Sequence, residues 1–279
     1  MFEVFFMISV CYSGNKKIFE GLLMSVMSLA KFSNEELCVY VLTMDLTEQN
    51  PNFEAFTDGQ IALLDEILKK KNPNSRAIKL DVTDLYKTHL LHGKNSDTGY
   101  TPYTLLRLLL GKVNNMPDKL IYIDIDTMSC NDIKQLYDID VEGYDVAMVK
   151  DYMGRFWIRP TYCNAGVLLM NLKRMKENGV LDKCLDMCNR KKMIMSDQTA
   201  INKHAKKKYL PFKFNEQRKI KPDTVIKHFC KGIVFFLPFG FHIYNIKQWQ
   251  RDKVHKSLKI FMFDDIYEEV DKLKAEGNF

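Results

Sequence analysis

The stretch Leu120-Ile121-Tyr122-Ile123-Asp124-Ile125-Asp126-Thr127 decides the fold class of this 279-residue chain. Its apolar, largely β-branched run predicts a buried strand, and two aspartates separated by one residue follow. Because side chains alternate faces along a strand, Asp124 and Asp126 should point the same way. Carboxylates that lie so close repel each other unless a cation sits between them, and Mg²⁺ or Mn²⁺ prefers such oxygen ligands. The pattern indicates a divalent-metal site, although an ordinary exit from a strand into a loop would contain the same residues.

Upstream of this stretch, the apolar spacing alternates between that of strands and that of helices. Strands are predicted at 2–10, 37–42 and 77–80, with a polar turn at 11–15 after the first. Helices are predicted at 18–29 and 60–71. This rhythm favours an α/β fold with a mainly parallel central sheet flanked by helices. In such sheets, ligands bind beyond the carboxyl ends of the strands.

The composition of the chain indicates its domain organisation and its cellular surroundings. Hydrophobic residues make up 46% of the chain, which suits one domain over 1–279 with a helical tail at 250–279 packed on it. No apolar run approaches the roughly 18 residues of a membrane span. Seven scattered cysteines without a Cys-x-x-Cys pair favour a reduced, cytoplasmic protein.

The net charge of +6 has two interpretations. Lysine clusters at 69–71, 191–192 and 206–208 are solvated helix faces, or they attract anionic substrates or lipid headgroups. The second interpretation would allow peripheral contact with the inner face of a membrane. Nucleic acid is not expected as a partner, since no recognition signature is present.

Several polar residues in apolar surroundings are candidates for a site. Arg107, within a predicted helix at 103–110, is a rim charge or a buried guanidinium that needs a diphosphate or carboxylate partner. Asn164 opens a predicted strand at 162–172 and is a turn residue or a ligand to a polar substrate. In the same strand, Gly166 suggests a close backbone approach.

The C-terminal half contains three further features. A helix is predicted at 173–190, and Ser196 would cap the next one, with Asp197 and Gln198 in its first turn. A basic loop is expected at 206–222. A last apolar strand at 224–229 includes His228, which at such a place is more often structural than a ligand.

Four segments together resemble glycosyltransferase family 8, in order and approximate spacing, across residues 2–255. They are Asp124-Ile125-Asp126, residues 164–171 (NAGVLLMN), residues 197–202 (DQTAIN) and His228. The family includes lipopolysaccharide galactosyl- and glucosyltransferases and resembles glycogenin. Membership implies a GT-A fold, a Rossmann-like domain with a nucleotide-sugar site at the Asp-x-Asp. It also implies Mn²⁺ (or Mg²⁺) and retaining transfer of a hexose from UDP-glucose or UDP-galactose to a saccharide or glycolipid acceptor.

The resemblance also implies roles for single residues. Asp124, Asp126 and His228 would bind the metal. Asp197 would hold sugar hydroxyls, and Gln198 would lie beneath the anomeric carbon. The remaining donor-binding residues implied are Ser9, Cys11, Tyr12, Arg107, Ile125, Asn164, Ala165, Gly166 and Lys247, the last as a diphosphate ligand.

The chain departs from the family pattern at three places. Cys11 stands near the position where relatives often have an acid that holds uracil, so backbone groups and Tyr12 would have to replace it. Gln248 replaces the proline of the family's Lys-Pro-Trp. The interval from His228 to Lys247 is longer than usual, and Gly232 or Gly240 could provide its expected glycine.

Two rival interpretations remain. Phosphatases of the haloacid-dehalogenase type also follow an apolar strand with Asp-x-Asp, but here Thr127 comes one position early, Met128 fills its place, and the motif lies mid-chain. The second rival is a non-catalytic nucleotide-sugar-binding relative of family 8. Hydrolysis of the donor separates this relative from an enzyme.

Overall fold

A computed structural model describes residues 7–96, 101–236 and 240–279 of the chain. Its strands are β1 (Ile8–Ser13), β2 (Leu37–Thr43), β3 (Arg76–Asp81), β4 (Lys119–Ile123), β5 (Thr127–Ser129), β6 (Val146–Lys150), β7 (Cys163–Asn171), β8 (Lys207–Leu210), β9 (Ile226–His228), β10 (Gly232–Phe236) and β11 (Gly240–Tyr244).

The α-helices are α1 (Phe19–Phe32), α2 (Asp58–Lys71), α3 (Thr83–His89), α4 (Lys134–Tyr137), α5 (Gly154–Trp157), α6 (Leu172–Glu177), α7 (Val180–Arg190), α8 (Ser196–His204), α9 (Arg251–Lys253) and α10 (Asp264–Ala275). Short 3₁₀ segments cover Lys16–Ile18, Pro102–Gly111 and Phe212–Phe214, and a π-turn covers Val254–Leu258.

A seven-stranded sheet in the order β3-β2-β1-β4-β7-β6-β8 forms the centre of the fold. Six strands run in one direction, and β7 runs antiparallel between β4 and β6. The predicted mainly parallel α/β sheet is therefore confirmed. Because β7 is reversed, its amino end lies at the same edge as the carboxyl ends of β4 and β6, and this edge carries the site.

Strand β4 lies in the middle of the sheet, as its apolar residues require. Its residues Leu120 to Ile123 are almost fully buried, and the strand pairs with β1 on one side and β7 on the other. Ile121 and Ile123 face the apolar cluster beneath α1, while Leu120 and Tyr122 face the opposite cluster. A run that is apolar on both faces suits a strand covered on both sides.

The C-terminal helix α10 packs on α1. It buries Ile266, Tyr267, Val270 and Leu273 in the apolar cluster that α1 also lines. Two ion pairs, Lys31–Asp265 and Lys274–Glu20, lie at the margin of this contact. In the described residues, no helix is both long enough and apolar enough to cross a bilayer.

Several local predictions were wrong. Strand β1 continues through Cys11 and Tyr12 to Ser13, because pairing with β2 and β4 extends it into the predicted turn; residues 2–6 of the predicted strand lie outside the described residues. The predicted helix at 173–190 is two helices, α6 and α7, separated at Gly179, whose φ of 61° is left-handed.

The structure also differs in three later segments. Ser196 is the first residue of α8 and does not cap it, because the N-cap position belongs to Met195. The predicted basic loop at 206–222 contains β8, which pairs in parallel with β6. The strand at His228 is not the last, since the antiparallel hairpin β10–β11 fills the interval before Lys247, with Gly232 and Gly240 opening its two strands.

Candidate active site

A cavity of about 670 Å³ opens at the edge of the sheet where β1 and β4 end and β7 begins. Its walls come from distant parts of the chain that the topology brings to one edge. The polar residues among those that line it include Ser13, Thr104, Arg107, Asp124, Asp126, Asp151, Asn164, Asp197, Gln198, Gln217, His228 and Lys247.

Three candidate metal ligands meet in this cavity. Asp124, Asp126 and His228 each offer one ligand atom, and these atoms lie within 4.8 Å of one another. The β5–β9 pairing places His228 opposite Thr127, directly after Asp126. Two carboxylate oxygens and one imidazole nitrogen fit Mn²⁺ or Mg²⁺, so the residues present suit the implied metal.

Hydrogen bonds orient the imidazole of His228. Asn215 donates from Nδ2 to Asn164 Oδ1 (2.9 Å), so its own Oδ1 is left to accept from His228 Nδ1 at 3.0 Å. This places a ring proton on Nδ1 and directs Nε2 towards Asp126 Oδ1, 3.1 Å away. A cation beside these two atoms would satisfy both, as in metal sites whose histidines are oriented by a second hydrogen bond.

The glycine at position 166 is required by this packing. A Cβ there would overlap the ring of His228. The backbone of Gly166 also accepts from Asp124 N at 2.7 Å, which continues the β4–β7 pairing up to the first aspartate. The close approach predicted at Gly166 is therefore made by the His228 ring of the same chain.

Arg107 is buried, with only 2% of its surface exposed. Its guanidinium stacks 4.3 Å from the ring centroid of Tyr122 and donates to Asp124 Oδ1 at 2.7 Å. Its Nε lies 3.1 Å from Asp197 Oδ2. Burial alone would lower the pKa of Arg107, but the neighbouring carboxylates hold it above its usual range. The rim-charge interpretation is wrong, and the anionic partners are carboxylates of the chain.

The pKa of Asp197, the second ion-pair partner of Arg107, is also shifted. Burial raises the pKa of this carboxyl above its ordinary value of 3.8, although Arg107 opposes the shift. Asp126 shifts in the opposite direction. Burial would raise its pKa, but His228 and the ammonium of Lys247, which contacts Oδ2, hold it well below the ordinary value.

The amides of Gln198 and Asn164 converge on a residue that the sequence motifs did not include. Gln198 Nε2 and Asn164 Nδ2 both donate to Asp151 Oδ2, at 3.2 and 2.9 Å. Gln198 Oε1 accepts from Ala165 N at 2.9 Å. Asp151 directly follows β6, so its position at the end of a strand was the available signal.

A model of glycosyl transferase family 8 matches residues 9–234. The chain belongs to this family. The resemblance drawn from the four sequence segments is thereby confirmed.

Named glycosyltransferases match parts of the chain. A putative glycosyltransferase of Haemophilus influenzae is 28% identical over 181 residues, 54% of this chain and 55% of that protein. The lipopolysaccharide 1,2-glucosyltransferase of Escherichia coli is 26% identical over 153 residues, 51% of this chain and 38% of that enzyme. The chain thus matches about half, or less, of the length of these relatives.

Solved structures agree with the GT-A fold. The galactosyltransferase LgtC, in complex with donor and acceptor sugar analogues, superposes with a TM-score of 0.65 at 16% identity, over 98% of this chain and all of that one. Glycosyltransferase GlyE of Streptococcus pneumoniae also gives 0.65, at 15% identity, over 98% of this chain and 64% of its own. At these identities the likeness supports the fold, and the predicted GT-A class is confirmed.

Most residues that the family 8 resemblance singled out do meet here. Ile125 and Ala165 line the same cavity as the candidate metal ligands and Asn164. Ser9, Cys11, Tyr12 and Gly166 do not line it. Ser9 is buried beside the Tyr137 hydroxyl. Cys11 is fully buried, which raises its thiol pKa, and the Tyr12 hydroxyl lies 2.9 Å from Ser25 Oγ.

The residue of β1 that does reach the cavity is Ser13. Its hydroxyl hydrogen-bonds the Tyr122 hydroxyl, which in turn lies 3.4 Å from Asp124 Oδ1. It was missed because β1 runs further than the sequence suggested.

The family departure at Gln248 has a structural explanation. Gln248 is fully buried, and its Nε2 donates to Ile125 O (2.6 Å) and Gly21 O (3.2 Å). It thereby ties the segment that carries Lys247 to the backbone between the two aspartates. The ammonium of Lys247 contacts Asp126 and donates to Phe229 O at 3.1 Å.

Proposed function

We propose that this family 8 protein is a metal-dependent retaining glycosyltransferase that moves glucose or galactose from a UDP-sugar to a saccharide or lipopolysaccharide-type acceptor. The observation that carries the proposal is the juxtaposition in one cavity of a possible metal set, Asp124, Asp126 and His228, with the Gln198 amide and the Lys247 ammonium. A phosphatase of the haloacid-dehalogenase type would not belong to this family.

The metal, held by those three residues, would supply positive charge for the leaving diphosphate. Lys247 adds a second positive charge beside Asp126. Arg107 holds Asp124 and Asp197 in fixed positions through its two ion pairs. Asp197 then offers a fixed acceptor for sugar hydroxyls.

Gln198 supplies the last element of the proposed chemistry. Its Oε1 accepts one bond from Ala165 N and keeps a second lone pair. A fixed amide dipole that faces the anomeric carbon would stabilise the positive charge that develops there as the glycosidic bond to diphosphate breaks.

Donor hydrolysis tests the proposal. UDP-glucose and UDP-galactose are incubated with the protein in Mn²⁺ or in EDTA, and released UDP is measured. We expect Mn²⁺-dependent release that falls by about 100-fold or more in Asp126→Asn, because removing a group that orients a metal already costs 10–100-fold. Asp140→Asn, an exposed carboxylate outside the cavity, is the matched control. Full activity of Asp126→Asn would contradict the metal assignment.

One observation favours the second candidate, a non-catalytic nucleotide-sugar-binding relative. Both aspartates already have cationic partners within the chain, Arg107 for Asp124 and Lys247 for Asp126. The cavity could therefore hold a nucleotide sugar without turnover. UDP binding that is unaffected by EDTA, with no hydrolysis of any UDP-hexose, would favour this candidate.

We also propose that the acceptor is presented at the inner face of a membrane, with the protein in the cytoplasm. Support comes from α5 and its flank, where Phe156 and Trp157 are 70% and 67% exposed and Trp157 lines the cavity. Co-sedimentation with vesicles, compared between the wild type and Phe156→Ser, measures this contact.

A further inference from the structure

A second cavity, of about 330 Å³, lies beside the proposed donor site. Gln217 lines both cavities. Its Oε1 accepts from Tyr152 N at 2.8 Å and its Nε2 donates to Lys150 O at 3.1 Å. These bonds fix the wall around Asp151, whose carboxylate binds Gln198 and Asn164. The second cavity is thus adjacent to the groups around the proposed transfer centre.

Positive charge dominates this second cavity. Four of its lining residues are cationic and one is acidic: Arg155, Arg218, Lys219 and Lys221 against Glu216. Within residues 7–96, 101–236 and 240–279, none of the four cations forms an ion pair with a carboxylate. The acid is buried and accepts from the backbone N–H of Arg218 at 2.8 Å. Such a set of unpaired cations favours an anionic ligand.

Aromatic rings hold the two guanidinium groups in place. Arg155 lies 4.6 to 5.2 Å from the ring centroids of Tyr152, Phe156 and Phe212, and Arg218 lies 4.6 Å from that of Tyr152. The Nε atom of Arg155 is buried and has no hydrogen-bond partner in the part of the chain that the structure describes. Stacking leaves the N–H edges of a guanidinium available, and these edges match the oxygens of a phosphate or carboxylate.

We propose that this cavity binds an oxyanion, phosphate or carboxylate, carried by the saccharide acceptor. The inference rests on the proposed function for the identity of the acceptor, while the anion site rests on Arg155, Arg218 and their aromatic supports. A sugar at the transfer centre would place its charged substituent, or that of the next residue, next to these guanidinium groups.

Calorimetric titration tests the proposal with glucose 6-phosphate, neutral glucose and inorganic phosphate as probes. We expect the wild type to bind glucose 6-phosphate more tightly than inorganic phosphate and to give no signal with glucose. The double variant Arg155→Gln/Arg218→Gln should bind glucose 6-phosphate about 10-fold more weakly or worse, since charge-assisted bonds to the oxyanion are lost. Lys206→Gln/Lys208→Gln removes the same charge from two cations over the Tyr144 ring, outside the cavity, and should bind as the wild type does.

Three results would overturn the proposal. The double variant could bind glucose 6-phosphate as tightly as the control does. Inorganic phosphate could bind as tightly as glucose 6-phosphate, which would show that the cavity recognises the anion without the sugar. Finally, the double variant could bind phosphatidic acid vesicles more weakly than the wild type does while its affinity for glucose 6-phosphate is unchanged. The ligand would then be a lipid headgroup.

The same variants separate this proposal from the proposed function. UDP-hexose hydrolysis should stay within about twofold of the wild type in the double variant, because neither arginine lines the first cavity. Absent hydrolysis in the wild type, together with arginine-dependent binding of glucose 6-phosphate, would contradict the proposed function and leave the anion site intact.

Discussion

The side-chain amide of Gln198 can take only one orientation. Its Oε1 faces the N–H of Ala165, which only an oxygen can accept, and its Nε2 faces the carboxylate of Asp151. The same carboxylate orients Asn164, and Asn164 orients Asn215 and His228. One unpredicted aspartate therefore connects the candidate catalytic amide to the candidate metal ligand.

Asp151→Asn should lower kcat for donor hydrolysis by about 10- to 100-fold with a smaller change in KM. The carboxylate accepts four bonds, two at Oδ1 from Met153 N and Gly154 N and two at Oδ2. An asparagine has one acceptor oxygen, so two donors lose their partner in either orientation. Steady-state kinetics measures the effect, with Asp140→Asn as the exposed control. An unchanged kcat would show that Asp151 does not position the Gln198 amide for the reaction.

Asp197→Asn should stabilise the fold while it lowers activity. Burial raises the pKa of Asp197 in the folded protein, so its charged form opposes folding at neutral pH. A carboxyl with a raised pKa costs stability above that pKa, and the cost disappears as the pH falls below the unfolded value. The urea midpoint of Asp197→Asn should exceed that of the wild type at pH 7, and the difference should shrink towards pH 4. A lower midpoint at pH 7 would mean that the Arg107 ion pair outweighs burial.

Among the elements, the segment after β11 is attached to the backbone and side chains of residues 124–126 by Gln248 and Lys247. The side-chain amide of Gln248 donates to the backbone carbonyls of Ile125 and Gly21. The backbone carbonyl of Gln248 accepts from the Tyr267 hydroxyl at 2.7 Å. Lys247, one residue earlier, contacts Asp126. Helices α1 and α10, the loop between the aspartates and the Lys247 segment are therefore joined at Gln248.

Gln248→Ala should raise KM for the UDP-sugar and lower stability by about 1–3 kcal/mol, because two buried carbonyls lose their donor. The control is Gln135→Ala, since Gln135 is exposed and bonds only the Lys213 ammonium. Urea unfolding and donor kinetics on both variants give the two readouts. Loss of stability without a change in KM would show that Gln248 does not position Lys247.

The elements that could be predicted from the sequence are those whose own apolar spacing sets them. Strand β4 and helix α2 are examples, and the Thr57–Gln60 capping box fixes the beginning of α2. Other features depend on tertiary partners. Strand β1 is prolonged by pairing with β2 and β4, and β8 forms, despite its lysines, because β6 offers an edge. The break at Gly179 follows from a left-handed φ that a helical pattern does not reveal.

The candidate site could be predicted where charged residues directly follow an apolar strand, as Asp124 and Asp126 follow β4. His228 needed the family resemblance, because a histidine at a strand end is unremarkable alone. Asp151 was not predicted because it belongs to none of the family motifs, and Ser13 was not predicted because β1 extends further than its sequence indicates. Their roles emerge only when the sheet brings the ends of β1 and β6 to the same edge.

At the scale of the whole molecule, the cavity is close to charge balance without a ligand. Arg107 and Lys247 neutralise Asp124 and Asp126 in the structure. A divalent ion alone would add positive charge beside these two cations, and a diphosphate alone would meet the two aspartates. The ion and the nucleotide should therefore bind together, each lowering the cost of the other.

Thermal unfolding with UDP and Mn²⁺, separately and together, tests whether the ion and the nucleotide bind together at this site. A ligand that binds only the folded state raises the melting temperature. We predict a large rise with UDP and Mn²⁺ together, little with either alone, and no joint rise in Asp126→Asn. A full rise with UDP in EDTA, or no rise with UDP under any condition, would contradict a metal-dependent UDP-sugar site at Asp124, Asp126 and His228.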